Sequence, residues 1–232
     1  MKKQVSFNEL FGATVEEIFA NRKAALVYLA LSVPVFSVWL IVFGAWSANP
    51  DAMFEATPRN LAAGVAVLVS ILLSGLLQYW FDLAMLRRSL HSDFSLLLPC
   101  LGISLLGLLG SGFGLLLFVV PGLILIIRWT LVMPLLLARD VPPMETFANS
   151  WERTSGSGWP IFALIAMFFV ATTISSNIIV SIFEQTDVAG RIAGALIDAL
   201  ITQAGAIAST GISVGAYRLL GPRHRMIEEV FG

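Results

Sequence analysis

Six long apolar stretches fill most of residues 24–217, and the connections between them are too short to hold a domain. An apolar run of about 20 residues crosses a hydrocarbon core of about 30 Å as a helix. The pattern therefore predicts an all-α, polytopic membrane protein, a single integral membrane domain over 1–232. Its spans fall at about 24–46, 60–86, 96–120, 122–139, 159–183 and 191–217. The stretch 96–139 is too long for one helix, and Pro121-Gly122 divides it. Proline removes a backbone donor and glycine permits a turn, so a tight hairpin is expected there. Pro34 and Pro134 fall inside spans, where they should cause local kinks.

Two shorter patterns are amphipathic and do not span. Over 6–21, Phe7, Leu10, Phe11, Thr14, Val15, Ile18 and Phe19 recur at helical spacing, while Asn8, Glu9, Glu16, Glu17 and Asn21 take the other face. Ser6 with Glu9 forms a capping box, and Val5 can staple onto Leu10. Over 143–154, Met144, Phe147 and Trp151 form one stripe opposite Glu145, Asn149, Glu152 and Arg153. Both segments are expected to lie in the plane of the membrane interface, with Phe7, Phe11, Phe147 and Trp151 as the interfacial side chains. Gly156-Ser-Gly158 then lets the chain turn into the fifth span. The two segments share Glu-x-Phe-Ala-Asn, at 17–21 and 145–149. If that is a repeat, its two copies run in the same direction, related by an axis along the membrane normal.

Composition changes the picture little: 57% of residues are hydrophobic and 12% charged, against about 25% charged in an ordinary soluble domain. The net charge of −1 conceals an asymmetry in where the cations sit. With the N-terminus inside, the inner set is Lys2, Lys3, Arg22, Lys23, Arg87, Arg88, Arg139, Arg153, Arg218, Arg223 and Arg225, and the outer set is Arg59 and Arg191. Positive charge is retained on the cytoplasmic side, so both termini are expected there. Tyr28, Tyr79, Trp80, Trp159 and Tyr217 lie near the inner ends, where amphipathic rings anchor, and Trp46 marks the outer end of the first span. Cys100 is the only cysteine, so an intrachain disulfide is excluded. The first apolar stretch begins past residue 23 and lacks a cleavage signal after it, so it is expected to stay in the mature protein.

The stretch Pro121-Gly122-Leu-Ile-Leu-Ile-Ile-Arg128-Trp129, continuing through Pro134-Leu-Leu-Leu to Phe147-Ala-Asn-Ser150-Trp151, resembles the membrane domain fused to some bacterial glycerophosphodiester phosphodiesterases. It also resembles stand-alone six-helix proteins related to that domain. The layout of nearly the whole chain is similar, but the matching residues lie within about 121–162. The resemblance implies a bacterial inner-membrane protein. It does not import catalysis, because the phosphodiesterase chemistry belongs to a separate soluble barrel.

Motifs for chemistry are missing. His91 and His224 fall in expected cytoplasmic segments, and no HExxH, cysteine cluster, acidic metal cage or phosphate-binding glycine loop appears. Asp82 and Asp198, the pair an aspartyl intramembrane protease would need, fall near opposite faces. No cofactor, metal or nucleic-acid partner is expected, and the chain is not expected to be an enzyme. What remains is polar residues at membrane depth, which face protein or water and are functional candidates by default. Arg128 lies about 9 Å and Asp198 about 10 Å below the outer ends of their spans at 1.5 Å per residue, which suits a pair. Gln203 sits deeper on the last span, and Asn177 is expected buried in the fifth. Asp82 is expected to be structural, near Arg87 and Arg88. Asp198, Thr202, Gly205 and Ser209 share one stripe of the sixth span. Gly110-x-x-x-Gly114 and Gly211-x-x-x-Gly215 are expected to let helices approach closely. The leading expectation is a non-enzymatic inner-membrane scaffold or regulatory subunit in envelope or lipid homeostasis. The alternatives are a small transporter or lipid carrier using a crevice near Arg128, Asp198 and Gln203, and an accessory subunit of a larger membrane complex. The partners expected are membrane lipid and either another membrane protein or a second copy.

Overall fold

The structure is a computed structural model that describes residues 4–48, 57–86, 94–117, 119–138, 141–183 and 185–220. Among them every regular element is helical: α1 (Phe7–Ala20), α2 (Arg22–Ala48), α3 (Pro58–Met85), α4 (Leu97–Leu117), α5 (Val119–Arg128), α6 (Val132–Leu137), α7 (Thr146–Arg153), α8 (Gly158–Phe183) and α9 (Val188–Leu220). Short 3-10 turns, Phe94–Leu96 and Pro143–Glu145, lead into α4 and α7. Six stretches among the described residues are long and apolar enough to cross a membrane: Arg22–Val42, Pro58–Met85, Leu97–Gly114, Val120–Leu137, Gly158–Phe183 and Val188–Leu220. This is an all-α, polytopic membrane protein. Lys2, Lys3, Arg87, Arg88, His91, Arg139, Arg223, His224 and Arg225 lie outside the described residues.

The chain packs as two compact units, which divide α3 at Asp82, α8 after Ala166 and α9 after Ala208. One unit holds α1, the end of α3, α4 to α7, the start of α8 and the end of α9. The other holds α2, most of α3, and the rest of α8 and α9. In the first, Leu10, Leu83, Met85, Leu131, Leu135, Leu136, Leu137, Ile161, Leu164, Ile212 and Val214 are fully buried. In the second, Tyr28 stacks on Phe81 with ring centroids 4.6 Å apart, while Leu61, Leu68 and Leu72 of α3 stay exposed. Large apolar side chains pointing outward along a span are what a helix in lipid presents.

Two local features depart from the expected geometry. In the 96–139 stretch α4 ends at Leu117 and α5 has already begun at Val119, ahead of Pro121-Gly122. Pro121 instead occupies the first turn of α5, where its missing N–H has no intrahelical carbonyl to lose. Gly122 is buried and serves the approach of α4: a Cβ on Gly114 would lie 3.0 Å from the Gly122 Cα. The second departure is that the fourth span is broken, at Trp129–Leu131, into α5 and α6. Pro134 explains the place, since proline cannot bond the carbonyl four residues back and its ring crowds that carbonyl, here Thr130. By contrast Pro34 stays within a continuous α2.

Helix α1 starts as its capping box dictates: the Ser6 N–H donates to Glu9 Oε2 at 2.8 Å, and the Glu9 N–H to Ser6 Oγ at 3.3 Å. Val5 and Leu10 are both buried. The Val5 N–H donates to Ser157 Oγ at 3.1 Å, which ties the chain ahead of α1 to the turn ahead of α8. That turn contains Gly156 at φ 94°, a left-handed conformation that glycine adopts without strain.

Candidate functional site

Among the described residues, polar groups within the apolar helices make buried contacts in both units. In the unit built on α2, the Tyr28 phenol lies 2.7 Å from Gln78 Oε1 and 2.7 Å from Gln203 Oε1. A phenol has one proton, so it donates to one amide carbonyl while the other glutamine can present its NH2 to the phenol oxygen. Gln203 and Tyr28 are buried. Along the α8–α9 hairpin of the same unit, Asp198 is 7% exposed and accepts a hydrogen bond from Ser176 Oγ at 2.5 Å. Close contacts flank that bond. A Cβ on Gly194 would meet Phe183 at 2.6 Å, and one on Gly205 would meet Thr172 at 2.8 Å. Asp198 and Gln203 thus hold helices together. Tyr28, expected from sequence as an anchoring ring at the inner end of the first span but buried here, completes these contacts with Gln78 and Ser176, which the sequence does not single out. Buried amides and carboxylates need partners, which was the available signal, but it does not say which residue supplies one.

Asn177 is placed differently from expectation. Its side chain is exposed, and its Nδ2 donates to the Thr173 carbonyl on its own helix at 2.7 Å. Thr202 and Ser209 of the expected stripe on α9 are exposed as well, while Asp198 is buried. A stripe drawn at 3.6 residues per turn does not fix which part of a helix faces protein.

In the other unit the break of the fourth span forms a further polar place. A broken helix leaves carbonyls and N–H groups without partners. Ser150 of α7 serves one of each: its Oγ donates to the Arg128 carbonyl at 2.6 Å and accepts from the Leu131 N–H at 3.2 Å. Helix α7 and the turn after it bury a line of hydroxyls, Thr146, Ser150, Thr154 and Ser157, all at 0% exposure. The apolar stripe expected to lie on lipid is split. Met144 is 93% and Trp151 45% exposed, but Phe147 packs edge-on against Trp129 at 4.9 Å. The Arg128 guanidinium lies over the Trp151 ring, 5.3 Å from its centroid. Among the described residues its buried Nη1 has no hydrogen-bond partner, and the same holds for Nη1 of Arg153 at the end of α7.

Both glycine pairs sit at close approaches within this unit. A Cβ on Gly110 would run into the Trp129 ring at 2.6 Å, and Gly114 faces Gly122 and Leu125. Gly211 faces Ile18 and Thr14, and a Cβ on Gly215 would lie 3.1 Å from the Thr14 nitrogen. The partner of the last pair is therefore α1, not another span. Helix α1 docks through Leu10, Thr14 and Glu17, leaving Phe7 and Phe11 stacked on one another at 6.2 Å and partly exposed. Glu17 corrects the sequence reading, which put it on the solvent side. It is buried and paired with Arg218 at 2.6 Å. Asp82 accepts from Thr210 Oγ1 at 3.0 Å. The Glu-x-Phe-Ala-Asn copies occupy unlike surroundings: Glu17 is buried and Glu145 exposed. Arg128 and Asp198 belong to different units, each with its own neighbours.

Among the described residues no group of His, Cys, Asp and Glu is arranged to hold a metal ion. No known protein family matches the chain, and neither does any curated protein or solved structure.

Proposed function

We propose that this is a non-enzymatic scaffold or regulatory subunit of a bacterial inner membrane, with both termini in the cytoplasm, acting in envelope or lipid homeostasis. The observation that carries this reading is how the polar groups at membrane depth are used. Tyr28 bonds Gln78 and Gln203, Asp198 bonds Ser176, and Asp82 bonds Thr210. Groups committed to one another in this way secure helix packing rather than line a path for a solute. The resemblance to the membrane domain of bacterial glycerophosphodiester phosphodiesterases supports the same setting. A scaffold or an accessory subunit of a larger complex acts through a protein partner, which is another membrane protein or a second copy.

A lipid carrier is the second reading, and the unpartnered guanidinium nitrogen of Arg128 favours it. Purification of the full chain in mild detergent, followed by reconstitution into liposomes, separates the two. A stoichiometric protein partner with no lipid transfer supports the scaffold. A solitary particle that moves phospholipid between leaflets or vesicles overturns it.

A further inference from the structure

We propose that Arg128, held on the face of Trp151 at the break of the fourth span, binds a phosphate group supplied by an anionic phospholipid headgroup or by a free phosphate ion. The inference goes beyond the scaffold and carrier readings and depends on neither. A buried guanidinium N–H without an acceptor is destabilising, and an orphaned donor in a folded protein calls for an acceptor from outside the chain. The Arg128 Nη1 is such a donor.

Among the described residues the neighbouring hydroxyls do not supply the missing acceptor. Ser150 Oγ is engaged with the Arg128 carbonyl and the Leu131 N–H. Thr130 Oγ1 donates to the Ile126 carbonyl at 3.0 Å, and Thr154 Oγ1 to the Ser150 carbonyl at 2.8 Å. Trp151 takes the flat face of the guanidinium by cation–π attraction, which does not satisfy the Nη1 N–H at its edge. A planar fork of donors with its face occupied suits a tetrahedral oxyanion, which accepts two parallel bonds from arginine. A second buried guanidinium nitrogen without a partner lies on the same helix as Ser150, at Arg153 one turn further on. Arg153 belongs to the same unit as Arg128, and each cation adds to the potential that attracts an anion. Trp151 on this helix and Met144 in the 3-10 turn before it also expose apolar surface, as a segment at the headgroup boundary does.

The test uses the full chain in mild detergent. Mixed micelles of phosphatidylcholine are compared with micelles in which half the lipid is phosphatidylglycerol, and inorganic phosphate is titrated separately. Retained lipid is read by native mass spectrometry and stability by thermal unfolding. Wild type should retain phosphatidylglycerol over phosphatidylcholine, or be stabilised by phosphate alone. The first outcome assigns the site to a lipid headgroup and the second to a soluble anion. Arg128→Gln should weaken either binding roughly tenfold or more, the worth of one charge-assisted hydrogen bond. Arg128→Lys keeps the charge without the fork and should fall between. Arg191→Gln, an exposed arginine of the other unit, should bind as wild type does. Equal binding by wild type and Arg128→Gln overturns the proposal, and so does a wild type with neither lipid preference nor phosphate response. If Arg128→Gln does not fold, Arg128→Lys decides: undiminished binding by that variant overturns the assignment of the fork.

Discussion

Glu17 on α1 and Arg218 near the end of α9 form an ion pair at 2.6 Å in which the carboxylate is buried and the guanidinium is partly exposed. The pair closes a seam opened by two glycines. Gly211 and Gly215 remove side chains from one face of α9, so the backbone of α1 at Ala13 and Thr14 comes to rest against it. Helix α9 has 33 residues, about 50 Å at 1.5 Å per residue, against a hydrocarbon core of about 30 Å. Its length leaves a final stretch available as a post for the first helix of the chain.

Removing Arg218 takes the paired cation away from a buried carboxylate, whereas removing both partners takes the buried charge away as well. Arg218→Leu should therefore lower stability by about 1–3 kcal/mol, a range set by loss of a charged hydrogen bond whose arginine is partly solvated. The double change Glu17→Leu with Arg218→Leu should recover part of that loss. Thermal unfolding of the four proteins of the cycle in one detergent measures this, and strictly additive losses would show that the pair contributes nothing as a pair.

At the glycine seam, Gly215→Ala has backbone as its nearest neighbour, 3.1 Å from the added Cβ, and backbone cannot rotate away. Overpacking of this kind costs about 1–3 kcal/mol, here directed at the docking of α1. Hydrogen exchange of residues 7–20 should rise in Gly215→Ala while that of α8 stays as in wild type. Gly12→Ala is the control, because nothing lies within 4 Å of its added Cβ. Equal protection of α1 in both variants would mean that the seam does not hold it.

In the other unit, Tyr28→Phe keeps the ring stack on Phe81 and deletes the hydroxyl that joins α2 to α3 and α9. Two amide groups then lose a partner inside the bundle, and interhelical hydrogen bonds in membranes are worth about 0.6–2 kcal/mol each. Tyr28→Phe should lower stability by about that amount, and Gln203→Leu should add little once the hydroxyl is gone. A thermal-unfolding double-mutant cycle reads the coupling. Fully additive losses would place the two side chains in separate interactions.

The spans were legible because their signal is length of apolar run, which needs no knowledge of neighbours. The glycine pairs were legible as close approaches for a similar reason, but a small face does not name its partner, and α1 was not foreseen as the partner of Gly211 and Gly215. Glu17 was misplaced because helical periodicity sorts an acidic residue onto the polar face. A cation distant in sequence, Arg218, pairs with that carboxylate where it is buried, and helical periodicity does not reveal it. Pro134 signalled a disturbance of the fourth span, yet the break falls near the carbonyl four residues earlier. The hydroxyl line Thr146, Ser150 and Thr154 was overlooked beside the more conspicuous Met144, Phe147 and Trp151. Serine and threonine at helical spacing look like a polar surface until a broken helix is found beside them.

That break carries the last prediction. Ser150 Oγ holds the Arg128 carbonyl at 2.6 Å and the Leu131 N–H at 3.2 Å, and Ser150 and Leu131 are both fully buried. Ser150→Ala removes a donor and an acceptor together, leaving a carbonyl and an N–H unsatisfied where water has little access. Each such group costs about 1–3 kcal/mol. Ser150→Ala should therefore lower stability more than Ser155→Ala, since Ser155 lies on the turn and is only partly buried. Hydrogen exchange should localise the effect: protection of the Leu131 amide should fall sharply, while the amides of α4 change little. Ser150→Thr keeps the hydroxyl at the cost of one methyl and should restore much of the protection. If Ser150→Ala leaves the Leu131 amide as protected as before, the break is held by α6 packing alone, and the serine is not its cap.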